Sequence, residues 1–210
     1  MLSNKLSTTN LYTIFTALFC GSLLISNILA GKVFVLGNIV LPSGVLIFPL
    51  VYIVNDVLAE IYGFKKARNT ILLGFVINII AVIAYTIALL LPAPSYINAE
   101  AFDIVLGSTF RVLIASFAAY LIGSLVNAYV MVKLKKWSEK HLMFRCVMST
   151  LIGETLDAII FITVAFLFTM PFSQMLMMIM AQAIFKTVYE IICYPMTKRI
   201  IKKIRIILNK

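Results

Sequence analysis

Six times along the chain an apolar run of about twenty residues recurs, each bounded by glycine, proline or a group of charges. This recurrence constrains the fold more than any other feature. Apolar runs of this length are read as membrane-spanning helices, because a helix satisfies all its backbone hydrogen bonds internally where no water can reach them. The runs cover residues 11–30, 43–62, 70–91, 108–132, 146–170 and 175–196. Six spans in 210 residues leave only short connections. The expectation is therefore an all-α integral membrane protein, a single polytopic domain over residues 1–210 with the lipid bilayer as its surroundings. The first run is too long for the core of a cleaved leader and reads as the first span.

Charge sets the orientation. The formal net charge is +10, which in a soluble chain would point to nucleic acid. Here the cations fall in alternate connections: Lys65, Lys66 and Arg68 after the second run, Lys133, Lys135 and Lys136 after the fourth, Lys198, Arg199, Lys202 and Lys203 after the sixth. The other connections hold only Lys32, with Arg111 at a helix start. The positive-inside rule then puts both termini in the cytoplasm, and no nucleic-acid partner is expected. An even number of spans requires the same outcome.

The segment from Gly31 to Pro42 is short, β-branched and interrupted by Gly37-Asn38, so it reads as a small hairpin or a re-entrant turn. Cys20, Cys146 and Cys193 lie far apart without ligand spacing, so neither a disulfide framework nor a metal site is expected. His141, the only histidine, belongs to a basic loop. No catalytic arrangement and no phosphate loop is visible, so the chain does not read as an enzyme, and no cofactor is expected.

The polar residues inside the apolar runs carry the functional signal. An ionised side chain at the bilayer centre costs about 2.5–3.5 kcal/mol on insertion scales, and such residues mark substrate or ion pathways by default. Asp56 and Glu60 share one helix face four residues apart, and Glu154 and Asp157 share another three apart. Lys186 lies near the middle of the sixth run, with Gln182 and Glu190 one turn away on either side. Asn27, Ser116 and Asn127 add neutral polar groups, and Arg111 a cation near an outer end. Three spans per half, each with an acidic pair in its second span, admit a 3+3 inverted repeat.

Structural alternatives stand beside these readings. Glu60 is close enough to Lys65 and Lys66 to be an ordinary interface residue. Glu190 suits a structural partner of Lys186. Arg111 suits a snorkelling cation, and Asn78 a helix–helix hydrogen bond. For Asp56, Asp157 and Lys186, which lie too deep to snorkel, the structural alternative is an internal ion-pair network. Carboxylates and carboxamides in a dry pocket recognise ligands rich in N–H donors, such as one edge of a guanine-like ring. Phe48, Tyr52, Phe161 and Tyr189 could stack on a flat heterocycle or simply pack.

The pattern Phe48-Pro49, Asp56, Tyr62-Gly63, Ala67-Arg68 resembles the YhhQ family of queuosine precursor transporters, a vitamin uptake group. The resemblance continues through Ser26-Asn27, Arg111, Ala115-Ser116, Tyr120, Gly123, Ser149-Thr150, Gly153, Asp157, Ala165-Phe166, Lys186 and Pro195. It implies a six-span protein of the cell inner membrane that imports 7-deazaguanines (preQ0, preQ1 or queuine) for queuosine modification of tRNA. The site expected on this basis is Asn27, Phe48, Asp56, Arg111, Ser116, Asn127, Glu154, Asp157 and Lys186. Asp56, Asp157 and Glu154 would accept hydrogen bonds from the ligand, and Lys186 would balance the acids. The resemblance also implies that position 154 varies among relatives, which makes Glu154 a candidate for substrate choice. One departure stands out: many relatives resemble Gly-Gln-x-x-Asp where this chain has Gly123-Ser124-Leu125-Val126-Asn127, and Asn127 cannot titrate.

Transport is expected by alternating access, with a homodimer compatible with so small a pathway. The alternative within transport is a substrate-binding membrane subunit of an ATP-driven vitamin uptake system. Outside transport, it is an assembly protein whose buried charges pair only with each other.

Overall fold

The computed structural model describes residues 8–30, 32–36, 39–94, 97–106, 110–137, 139–168 and 171–208. In order, the chain forms α1 (Thr8–Ala30), a hairpin of β1 (Val33–Leu36) and β2 (Ile39–Pro42), a 3-10 turn (Ser43–Leu46), then α2 (Phe48–Tyr62), α3 (Phe64–Leu90), α4 (Ala99–Leu106), α5 (Phe110–Trp137), α6 (Leu142–Phe166) and α7 (Phe172–Leu208). Five of these helices, α1, α3, α5, α6 and α7, are long and apolar enough to cross a membrane. The chain is an integral membrane protein built of helices, with one antiparallel hairpin pairing Val33 with Pro42 and Leu36 with Ile39.

The second apolar run differs from a simple span. The 3-10 turn takes its first residues, and Pro49 sits at the start of the helix that follows, where its missing N–H costs nothing. The remaining helix, α2, has 15 residues. At 1.5 Å per residue that is about 22 Å, short of a hydrocarbon core of about 30 Å. Its surroundings compensate for its length. Every residue from Val51 to Ile61 is buried, including Asn55, Asp56 and Glu60, with α1, α3, α5 and α7 packed around it. By contrast α3 fully buries only Ala67, Thr70, Ile71, Gly74 and Asn78, and it exposes Leu72, Leu73, Val76, Ile80, Ile83, Ile87 and Leu90. Gly63 joins the two helices. Its φ of 79° lies in the left-handed region that glycine adopts without strain, so the chain reverses within a single residue.

Helices α5 and α6 meet backbone to backbone. A Cβ placed on Gly123 would stand 2.9 Å from the Gly153 carbonyl oxygen, and one on Gly153 would stand 2.8 Å from that of Gly123. In lipid, where apolar burial between helices gains little, such close approach supplies the van der Waals attraction that holds them. Tyr52 of α2 packs over both glycines.

Three connections differ from the expectation drawn from the sequence. The polar segment after the third run contains α4, whose Ala101 N–H donates to Asn98 Oδ1 at 3.3 Å. Helix α6 begins at Leu142, so Arg145 lies within its first turn rather than in the preceding loop. Helix α7 continues through the basic tail to Leu208 over 37 residues, about 55 Å. Its Ile201 and Ile204 pack on Leu11, Val57 and Ile61. Through this packing and the bond from Tyr12 Oη to the Lys66 carbonyl at 3.1 Å, the start of α1, the end of α2, the start of α3 and the end of α7 gather at one end of the bundle. This cationic end also receives Lys135 from α5 and Arg145 from α6.

Candidate functional site

Away from the cationic end, a partly open cavity is lined by Ser26, Asn27, Phe48, Ser116, Asp157 and Lys186, with Gly44, Val45, Ala119, Phe161 and Gln182 completing the wall. Its empty space is about 510 Å³, counted out to the open mouth. Each lining residue is placed by local structure. Ser26 Oγ donates to the Gly44 carbonyl at 3.0 Å, fixing the 3-10 turn against α1. Asn27 Nδ2 donates to Asn78 Oδ1 at 2.6 Å, and Asn78 Nδ2 donates to the Gly74 carbonyl at 2.8 Å. Asn78 thus makes the helix–helix hydrogen bond expected of its position, and it also orients Asn27 at the cavity.

Lys186 is the centre of the site. Its Nζ donates to Asp157 Oδ2 at 3.0 Å and stands 2.5 Å from Glu154 Oε2, an ion pair that falls outside hydrogen-bond angles. The same ammonium sits 4.2 Å above the centre of the Phe48 ring, a cation–π arrangement. Glu154 is fully buried behind the lysine, and neither of its oxygens has a well-aligned donor. The cluster sets one cation against two acids and leaves acceptor capacity next to an open space. Gln182 Nε2, buried in the same wall, is also unpartnered. Chemically, the wall offers a carboxylate, an ammonium, an amide and two phenyl rings to a flat ligand with both donors and acceptors.

The structure divides the sequence-derived candidates into groups. Asn27, Phe48, Ser116, Asp157 and Lys186 line the cavity, and Glu154 supports Lys186 from behind. Asp56 and Asn127 do not line it. They are fully buried in a separate group with Glu190, Cys146 and Thr150. Arg111 opens α5, and its side chain lies outside the described residues. Among the aromatic candidates, Phe161 reaches the cavity, whereas Tyr52 packs behind it and Tyr189 stays off the wall. Glu190 is not the partner of Lys186: it faces Asp56 across the α2–α7 interface.

Glu60 is the largest revision. Lys65 and Lys66 are not its partners. It is buried at the cationic end and binds three other cations. Arg145 grips it with both terminal nitrogens, Nη1 to Oε2 at 2.5 Å and Nη2 to Oε1 at 3.2 Å. Lys135 Nζ lies 3.2 Å from Oε1 and donates to the Glu60 carbonyl at 2.8 Å, while Arg205 Nη2 donates to Oε1. One carboxylate thus ties α2 to α5, α6 and α7. Sequence reasoning missed Arg145 and Arg205, which fall outside the apolar runs that carried the polar candidates.

Two named proteins resemble this chain in sequence. Over 155 residues it is 27% identical to a protein of Bacillus subtilis named "Probable queuosine precursor transporter", an alignment covering 72% of this chain and 68% of that protein. Over 127 residues it is 31% identical to a protein of Haemophilus influenzae with the same name, covering 59% of this chain and 51% of that one. The chain thus spans about half the length of the second relative. No solved structure matches the chain. Residues 42–200 match the family described as "Putative vitamin uptake transporter", and the chain belongs to that family.

Proposed function

We propose that this protein imports a queuosine precursor or base, a 7-deazaguanine, across the cell inner membrane by alternating access. The observation that carries the reading is the cavity in which buried Asp157 and Lys186 face an open space between Phe48 and Phe161. A guanine-like ring offers N–H groups to a carboxylate, a carbonyl to an ammonium and a flat face to phenyl rings. The names of the relatives supply the substrate class. Glu154 sets the charge and position of Lys186 and so influences which ring substituent is accepted. Ser116 and Asn27 bound the ligand from the wall. Asp56 and Asn127 act from their own group behind the wall.

The whole chain is then one membrane domain crossing the bilayer six times. Helix α2 is a short crossing enclosed by its neighbours, and the two halves are arranged as an inverted repeat. The cationic end faces the cytoplasm, in keeping with the positive-inside rule, so both termini lie there. The Glu60 cluster closes that end while the cavity opens away from it, the arrangement of an outward-facing state. The protein works as a carrier and not as an enzyme, without a separate ATPase.

The test is uptake of labelled preQ0, preQ1 and queuine by cells that lack their own transporter and their own synthesis. Expression of this chain restores uptake of at least one compound, and competition among the three identifies which. Uptake in liposomes containing this chain alone shows that no ATPase subunit is needed. Failure of all three compounds in both systems overturns the assignment.

A further inference from the structure

Behind the cavity wall lies a second polar group, none of whose residues lines the cavity. Asp56 on α2 faces Glu190 on α7, with Cys146 of α6 beside them, and one ligand atom from each residue lies within 4.8 Å of the other two. All three are buried, Asp56 and Cys146 with no exposed surface. Neither oxygen of Asp56 has a hydrogen bond of acceptable distance and angle, and Glu190 Oε2 has none either. The surrounding polar side chains share this condition. Asn127 of α5 faces Asp56 and Thr150 of α6 faces Glu190, and both are at least 99% buried with unpartnered polar atoms.

The charges facing this pair are few. From α6 come the Cys146 thiol, Glu154 and, near Cys146, Arg145, whose guanidinium is already committed to Glu60. From α7, Tyr194 stands near Cys146 and Arg145, while Lys186 is taken by Glu154 and Asp157. Among the described residues no ion pair reaches Asp56 or Glu190. Two carboxylates facing each other in a dry interior repel unless a proton lies between them, and one proton turns an acceptor–acceptor clash into a strong hydrogen bond. A hard metal cation is the other way to neutralise such a pair, but a thiol at the third corner is a poor ligand for one.

We propose that Asp56 and Glu190 form a proton-carrying site, holding one proton between their carboxyl groups, and that its loading from one side of the membrane and release to the other drives transport. The proton comes from water on the outer side, sits on a carboxyl oxygen of the pair and leaves to water on the inner side, so charge and atoms balance in each cycle. The site is well placed to report on the cavity. Glu190 lies one turn from Lys186 on α7, and it faces Glu154 electrostatically. A movement of Lys186 as ligand binds is therefore felt at the pair. Proton binding stands on the geometry alone. Its coupling to transport rests on the function proposed above.

Two measurements test this and separate the two layers. Infrared spectra of the purified protein at neutral pH show a carboxylic C=O stretch that shifts in heavy water and that is lost or displaced in both Asp56→Asn and Glu190→Gln, but not in Glu139→Gln on the exposed loop. A spectrum in which neither replacement changes this band overturns the proton site. In proteoliposomes an outside-acid gradient drives accumulation of labelled queuine by the wild type, about tenfold per unit of pH difference for one proton per substrate. The Glu190→Gln variant exchanges labelled for unlabelled queuine but does not accumulate it. Accumulation that follows a sodium gradient instead, or an unimpaired response in Glu190→Gln, overturns the coupling. If the wild type exchanges no 7-deazaguanine at all, the transport reading fails while the infrared result still decides the proton site. Either carboxyl variant suffices if the other does not assemble.

Discussion

Glu60 and Lys186 are both buried within helices and both hold charges of opposite sign, yet their surroundings differ in kind. Glu60 is one acid met by three cations from three helices, at the end where the basic segments gather. Lys186 is one cation set against two acids, with a phenyl ring below it and open space in front. The first arrangement is saturated: the acid is fully engaged and nothing remains to offer a ligand. The second brings Asp157 and Lys186 to the wall of a cavity, beside an unpartnered Gln182 amide nitrogen. Burial of a charge alone therefore does not distinguish a latch from a binding site, whereas the balance of partners and the presence of space do.

The contrast breaks most severely at the latch. Replacing Arg145 by alanine leaves Glu60 buried without its bidentate partner, and breaking a buried pair in this way costs about 3–5 kcal/mol. The expected outcome is a large drop in the melting temperature of the detergent-solubilised protein and poor recovery from membranes. A variant as stable as the wild type would show that the cluster does not hold the bundle. Next in size is Gly123→Ala. Its new methyl group meets the Gly153 carbonyl, Asp157 Cβ and Tyr52 Oη at under 3 Å, so α5 and α6 must separate at a cost of about 1–3 kcal/mol. Because Asp157 is among the groups displaced, uptake falls along with thermal stability. The Phe48→Leu exchange keeps an apolar wall but removes the ring beneath Lys186, and a cation–π interaction of this kind is worth about 0.5–2 kcal/mol. Because that contact is made within the ligand-free protein, its loss lowers the melting temperature modestly, and loss of the flat ring at the cavity wall weakens the apparent affinity for substrate as well. Smallest of all is Lys135→Ala. Its side chain is about a third exposed, and partly solvated pairs contribute about 0–1 kcal/mol, so thermal melting and uptake both stay close to wild type.

Much of this is legible in the residues. Five of the apolar runs coincide with long helices to within a few positions at most ends, and the resemblance carried by Phe48-Pro49, Asp56, Tyr62-Gly63 and Lys186 agrees with the family match over residues 42–200. Gly37-Asn38 itself lies outside the described residues, but paired strands flank it, as its turn chemistry requires. The partners of Glu60 are not legible, because Arg145 and Arg205 lie 85 and 145 residues away and composition cannot pair them. A trace is present all the same. Thr197, Ile201 and Ile204 recur at helical spacing through the basic tail, and all three are buried. That rhythm marks a continuing helix with an inner face and not a loose tail. The short reach of α2 is hidden for a different reason: an apolar 3-10 turn followed by a helix has the same hydropathy as a full span. The separation of Asp56 from Asp157 is equally hidden, because both are acids deep in apolar runs and only packing assigns one to Glu190 and the other to Lys186.

If the Lys186 cluster is the ligand site, removing its ammonium abolishes binding. Equilibrium binding of labelled queuine, preQ1 and preQ0 to the purified wild type and to Lys186→Met decides this, since methionine keeps the length and apolar bulk without the charge. The wild type should bind at least one compound saturably, and a Lys186→Met protein that still elutes as a single folded species should bind none. Equal binding by the two proteins would place the ligand elsewhere in the molecule and remove Lys186 from its recognition.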